Sequence, residues 1–192
     1  PARALALAAE LDAPLAAAHV LVNRGVGPLS EARRFLEPSL ADLHDPWLLR
    51  DIDRAVERIE RAIAGSEAIF LHGDYDVDGI TSAFLLGSVL RGLGGKVIVR
   101  IPKRTGGFGL SPAAIESART RPGCSLVVTV DCGVTQTQAV EYANSVGLDT
   151  IITDHHAPPA VLPPALAIVN PWREDVGGEM MALKYYGAAH TS

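Results

Sequence analysis

The feature that most restricts the fold is an alternation that begins at Gly65, in which short apolar runs are each followed by a helical pattern or a turn. Residues 68–71, 96–101, 125–130, 150–153 and 166–169 are rich in Val, Ile and Leu and read as strands. Helical patterns over 80–93, from Ser111-Pro112 onward and over 135–146 separate them, with Gly94-Gly95 and Gly147 as stops. Strands alternating with helices predict an α/β fold, a doubly wound parallel sheet with helices on both faces.

Three of those strands run into acids or histidines at their carboxyl ends. The first continues into His72-Gly73-Asp74-Tyr75-Asp76-Val77-Asp78-Gly79, the third into Asp131-Cys132-Gly133, and the fourth into Asp154-His155-His156. In a parallel sheet these ends share one edge, where ligands bind. So many like charges at one edge repel one another unless cations neutralise them. The pattern therefore predicts a divalent-metal site. Aspartate oxygens mixed with imidazoles suit a borderline metal such as Mn²⁺ better than Ca²⁺. Two such ions roughly 3.5–4 Å apart can hold a phosphoryl group, activate a water and stabilise a leaving oxygen. Lys103 and Arg104 follow the second strand near the same edge and are candidates for contacting substrate phosphate. Gly106, Gly107 and Gly109 could offer backbone N–H groups there.

Upstream, residues 1–64 predict an N-terminal helical appendage. Residues 1–22 are Ala/Leu-rich; Ser30 looks like the cap of a short helix ending before Pro38; Ile52, Ala55, Val56, Ile59, Ala62 and Ile63 recur at helical spacing. Residues 65–172 are expected to form the α/β domain that carries the metal motifs, and 173–192 a tail of no recognisable kind. A net charge of −5 argues against a nucleic-acid partner, but bound dications would cancel much of the charge on the clustered aspartates. Two cysteines without metal spacing, and no membrane-length apolar run, point to a reducing cytoplasm and no membrane. Cys132 reads as a small buried residue, not a nucleophile.

The three motifs, with Thr81-Ser82 after the first, resemble those of the DHH phosphoesterase superfamily, whose Rossmann-like domain has the predicted architecture. Within it the chain is most similar to the RecJ group. Asn23-Arg24-Gly25, the stretch 31–38, Asp45-Pro46, Ile101-Pro102-Lys103-Arg104 and Gly107-Phe108-Gly109-Leu110 carry the narrower likeness, which runs from about residue 10 to Trp172. RecJ relatives usually have an acidic residue and a tyrosine in the loop where this chain has glycine and Phe108.

The resemblance implies a Mn²⁺- or Mg²⁺-dependent, two-metal 5′→3′ exonuclease on single-stranded DNA, serving recombination and repair. A single-strand-binding protein or a helicase would be its protein partners. Asp76 is implied as ligand of one metal, Asp78 of the second, Asp131 as their bridge, and His155 as a further ligand. His156 would be a ligand or a proton donor. His72, four residues before Asp76, would be another ligand, with Asp74 and Asp154 supporting from behind. A fourth aspartate motif is expected downstream, but only Asp175 is on offer and its surroundings do not match, so a shortened or partial relative is expected. Two rival functions share these motifs: a small-substrate phosphoesterase (oligoribonucleotide, cyclic dinucleotide or pyrophosphate), and a non-catalytic replication or repair scaffold.

Overall fold

The computed structural model describes residues 2–42, 45–104 and 108–173. The chain divides between Asp45 and Pro46 into two compact units. Helix α4 falls in the second, although the sequence reading grouped it with the N-terminal helices.

In the first unit, α1 (Ala2–Leu11), α2 (Leu15–Asn23) and α3 (Leu29–Leu36) enclose a small core of Ala4, Leu7, Ala18, Leu21, Val26 and Ala32. The first helical pattern breaks at Pro14, and Pro28 takes the cap position that the sequence suggested for Ser30. Its fixed φ suits a helix start and its missing N–H is no loss there.

In the second unit, α4 (Ile52–Ala64) leads into β1 (Ala68–Gly73), α5 (Val77–Gly92), β2 (Lys96–Arg100), α6 (Pro112–Arg119), β3 (Cys124–Val130), α7 (Thr137–Ser145), β4 (Asp149–Thr153) and β5 (Ala167–Val169). All four strand pairings are parallel, in the order β2-β1-β3-β4-β5. The sheet is covered on both faces. Phe70, Val127 and Ile152 pack with Ile115 of α6 and Val140 of α7; Ile69, Leu71, Val128 and Ile151 pack with Ala62 of α4 and Leu90 of α5. Burial on both faces is why these strands read as unbroken apolar runs instead of alternating ones.

The chain leaves β1 for β2 on one side and returns to β3 on the other, so the direction of winding reverses between β1 and β3. That reversal opens a crevice at the carboxyl ends of these two strands. At the opposite edge the buried Arg58 of α4 joins Asp149 at 2.6 Å and Glu67 at 2.8 Å. No helix among the described residues is long and apolar enough to cross a membrane.

Candidate metal centre

β1 runs two residues further than its apolar stretch, to Gly73, and α5 begins at Val77 instead of Ile80. Both shifts decide where the first motif points. His72 lies inside the strand, 1% exposed, with Nε2 3.2 Å from the Gly109 carbonyl oxygen. Asp76 caps α5, its carboxylate accepting the Gly79 N–H at 3.0 Å. Asp78 sits exposed in the first turn of that helix. Gly79 is required here, because a Cβ would stand 2.5 Å from the backbone nitrogen of Asp74.

Asp131 adopts a left-handed conformation, φ 61°, while its N–H still bonds to the Thr153 carbonyl at 3.0 Å. The turn closes as Thr129 Oγ1 donates to the Cys132 carbonyl at 2.6 Å. Gly133 follows at φ 119°, where a Cβ would collide with Thr129 and Ile152. A non-glycine residue in this region is uncommon and concentrates at functional sites.

The fourth strand's loop is held from both sides. Asp154 Oδ2 accepts the Val134 N–H at 2.9 Å, tying this loop to the one after β3. Its Oδ1 accepts the His156 ring Nδ1 at 2.7 Å. Asn170 donates to the His156 carbonyl at 2.9 Å, and the Trp172 indole to the His155 carbonyl at 2.8 Å. The sequence offered no sign of these last two supports. They follow a short strand and belong to no motif.

Two sets of side chains then meet. Asp74, Asp76 and Asp131 bring one oxygen each within 4.8 Å of one another, and so do the ligand atoms of Asp131, His155 and His156. His155 Nε2 is 2.8 Å from Asp131 Oδ1. Asp131 belongs to both sets. Asp74, read from sequence as a support, joins the first. Asp78 and His72, read as ligands, join neither, although the charge of Asp78 still acts on Asp131. Of the two phosphate candidates, Arg104 stacks over Tyr75 at 5.3 Å from the ring centroid, and Lys103 is exposed. Phe108 meets the His156 ring edge-on, centroids 5.8 Å apart. Gly106, Gly107 and Asp175 lie outside the described residues.

The electrostatics are those of crowded carboxylates. Burial, then the hydrogen bond and charge of Asp76, push Asp131 up to about 7. Burial also raises Asp74, whereas the Gly79 N–H holds Asp76 low. The crowding by Asp76 thus disfavours the ionised form of Asp131. Burial and the surrounding aspartates raise the Cys132 thiol, which removes it as a nucleophile. Asp74 Oδ2 and Asp131 Oδ2 are buried without a hydrogen-bond partner among the described residues. Such atoms are costly unless something positive meets them, so the residues fit a divalent cation.

The chain is 41% identical over 155 residues to the single-stranded-DNA-specific exonuclease RecJ of Bacillus subtilis, covering 80% of this chain and 20% of that one. It is 37% identical to RecJ of Escherichia coli over 170 residues, covering 87% and 28%. It thus spans less than a third of the length of these relatives. Among solved structures, RecJ of Thermus thermophilus in complex with Mn²⁺ matches with a TM-score of 0.66 at 29% identity, covering 93% of this chain and 24% of that one. An exonuclease RecJ bound to manganese matches with a TM-score of 0.61 at 32% identity, covering 67% and 33%. Residues 68–190 match the DHH family, N-terminal domain. Three strand ends meeting at the sheet's winding reversal, with these relatives, mean that the chain belongs to the DHH family.

Proposed function

We propose that the chain is the metal-binding part of a divalent-metal-dependent phosphodiesterase, a 5′→3′ exonuclease on single-stranded DNA that acts in recombination and repair in the cytoplasm. The observation that carries this reading is the junction at Asp131, which belongs to two ligand sets and keeps one oxygen buried and unpaired. Its RecJ relatives are single-stranded-DNA-specific exonucleases by name, which supports the choice of substrate.

Asp74, Asp76 and Asp131 would hold one ion; Asp131, His155 and His156 would hold the other. The mix of carboxylate and imidazole suits Mn²⁺, with Mg²⁺ as the harder alternative. Bound cations would supply Lewis-acid polarisation of the scissile phosphate and lower the pKa of the attacking water. The chain's own residues prepare that chemistry. Asp76, kept ionised by the helix N-terminus, gives a permanent negative charge. Asp154 engages Nδ1 of His156 and leaves Nε2 as the ring nitrogen that can ligate or deliver a proton to the leaving oxygen. Arg104, held over Tyr75, offers a guanidinium to a phosphate of the strand.

The test is Mn²⁺-dependent release of mononucleotides from a 5′-phosphorylated single strand by the intact protein, lost in Asp131→Asn. A long strand cleaved no faster than a dinucleotide would favour a small-substrate phosphoesterase instead. No release with or without Mn²⁺ would overturn the reading.

A further inference from the structure

His72, which joins neither ligand set, lines a second feature. Between the edge strand β2 and helix α6 lies a cleft of about 560 Å³, a size that suits one small ligand. Phe70, Ile98 and Ala114 give it an apolar wall, and Arg100, Lys103 and Arg121 contribute three exposed cations. None of the three has a carboxylate within ion-pair distance among the described residues. Arg100 is aimed toward α6 by a 3.2 Å bond from Nη1 to Ser117 Oγ. Ser111, also in the lining, accepts the Ala114 N–H at 3.2 Å and keeps its own hydroxyl proton to donate. His72 itself is 1% exposed, and its Nδ1 has no partner among the described residues. Since Nε2 faces a carbonyl oxygen, Nε2 carries the proton and Nδ1 is a buried acceptor.

A cluster of cations with no counter-charge asks for an anion. An apolar wall and the Ser111 hydroxyl beside it ask for an uncharged part with an acceptor to offer. One ligand class has all three: a nucleoside bearing a phosphate. We propose that the β2–α6 cleft is a nucleotide subsite. The phosphate meets Arg100, Lys103 and Arg121, the nucleoside lies on Phe70, Ile98 and Ala114, and one of its acceptors meets the Ser111 hydroxyl. The inference rests on the nucleic-acid reading of the metal centre, because it takes the same chemical unit. That unit can come from a free mononucleotide or from a nucleotide within a bound strand.

The test is calorimetric titration of the chain with deoxyadenosine 5′-monophosphate in EDTA, where no metal-dependent hydrolysis can contribute. Saturable binding is expected, weakened at least roughly tenfold in Arg100→Glu/Arg121→Glu, because two charge-assisted contacts are reversed. Arg100→Lys/Arg121→Lys should retain it, which separates charge from misfolding, and Asp131→Asn should leave it unchanged. Displacement by a 5′-phosphorylated oligothymidylate more tightly than by the mononucleotide assigns the cleft to the strand; the reverse order assigns it to the free nucleotide. The proposal is overturned if no saturable binding occurs, if deoxyadenosine or inorganic phosphate binds as tightly, or if charge reversal has no effect. A cleft that fails while Mn²⁺-dependent hydrolysis succeeds would leave the function of the metal centre standing.

Discussion

Asp154 and His156 are bonded twice through one oxygen: Asp154 Oδ1 accepts the backbone N–H of His156 at 3.0 Å and its ring Nδ1 at 2.7 Å. The first bond sets the loop and the second sets the ring. Asp154→Asn keeps the size of the side chain but can no longer accept from both sides with a full negative charge. Mn²⁺ affinity should fall about 10–100-fold, as it does when an outer partner of a ligating histidine is lost. Calorimetric titration would check this, and an unchanged affinity would mean that Asp154 serves only the loop.

Asp131 gives a pH dependence whose sign can be worked out. Its pKa is raised from the ordinary 3.8 to about 7, so the folded metal-free chain holds a proton that the unfolded chain has lost. The stability from that proton is full below the unfolded pKa and disappears as pH rises through about 7. In EDTA the wild type should lose stability relative to Asp131→Asn across this window. Mn²⁺ should restore it and release protons on binding. Thermal unfolding of both proteins over the window, with and without Mn²⁺, decides the matter. Parallel curves would count against a raised pKa of Asp131.

Gly79→Ala places a methyl group against the backbone of Asp74, on the turn that aims Asp74 and Asp76. The methyl position is set by the backbone and its neighbour is backbone, so no rotamer change relieves the contact. The variant should be destabilised by about 1–3 kcal/mol, a typical cost of overpacking. It should also bind Mn²⁺ more weakly. Urea unfolding with a parallel metal titration separates the two effects.

Arg58 tests the opposite edge of the sheet. It is buried, and its guanidinium holds Asp149, Glu67 and Ser125 together. Arg58→Met leaves two partly solvated carboxylates without their partner and should cost about 1–2 kcal/mol. Metal affinity of the folded fraction should stay the same, because the network lies at the other end of the strands. A loss of affinity at unchanged stability would contradict this division of labour.

Trp172 tests the support found only in the structure. Trp172→Phe removes the indole donor to the His155 carbonyl but keeps much of the ring. A modest fall in Mn²⁺ affinity with little change in melting temperature is expected, about 1 kcal/mol for one neutral hydrogen bond. Equilibrium metal titration measures it.

The strands were legible because β1, β3 and β4 are buried on both faces and so appear as apolar runs that end where the polar loops begin. Their order in the sheet was not, since no local pattern says that β3 returns beside β1 instead of beside β2. Within the first motif, the residue types announced a metal site, yet its register was out of reach. The helix starts three residues before its apolar pattern does, because Asp76 can cap it. That start puts Asp78 on the exposed first turn and leaves Asp74 facing Asp76 and Asp131. Asn170 and Trp172 act through backbone groups of the histidine loop, and contacts of that kind leave no trace in spacing.

By itself, then, the sequence determined that the strand ends would carry acids and imidazoles to one edge of a parallel sheet, because strand direction and apolar period are local properties. Only the tertiary structure decided which of those groups meet. The left-handed turn at Asp131, bonded to the Thr153 carbonyl, and the bond from Val134 to Asp154 join the loops that follow β3 and β4. Those distances come from packing between strands far apart in the chain, which one-dimensional spacing does not contain.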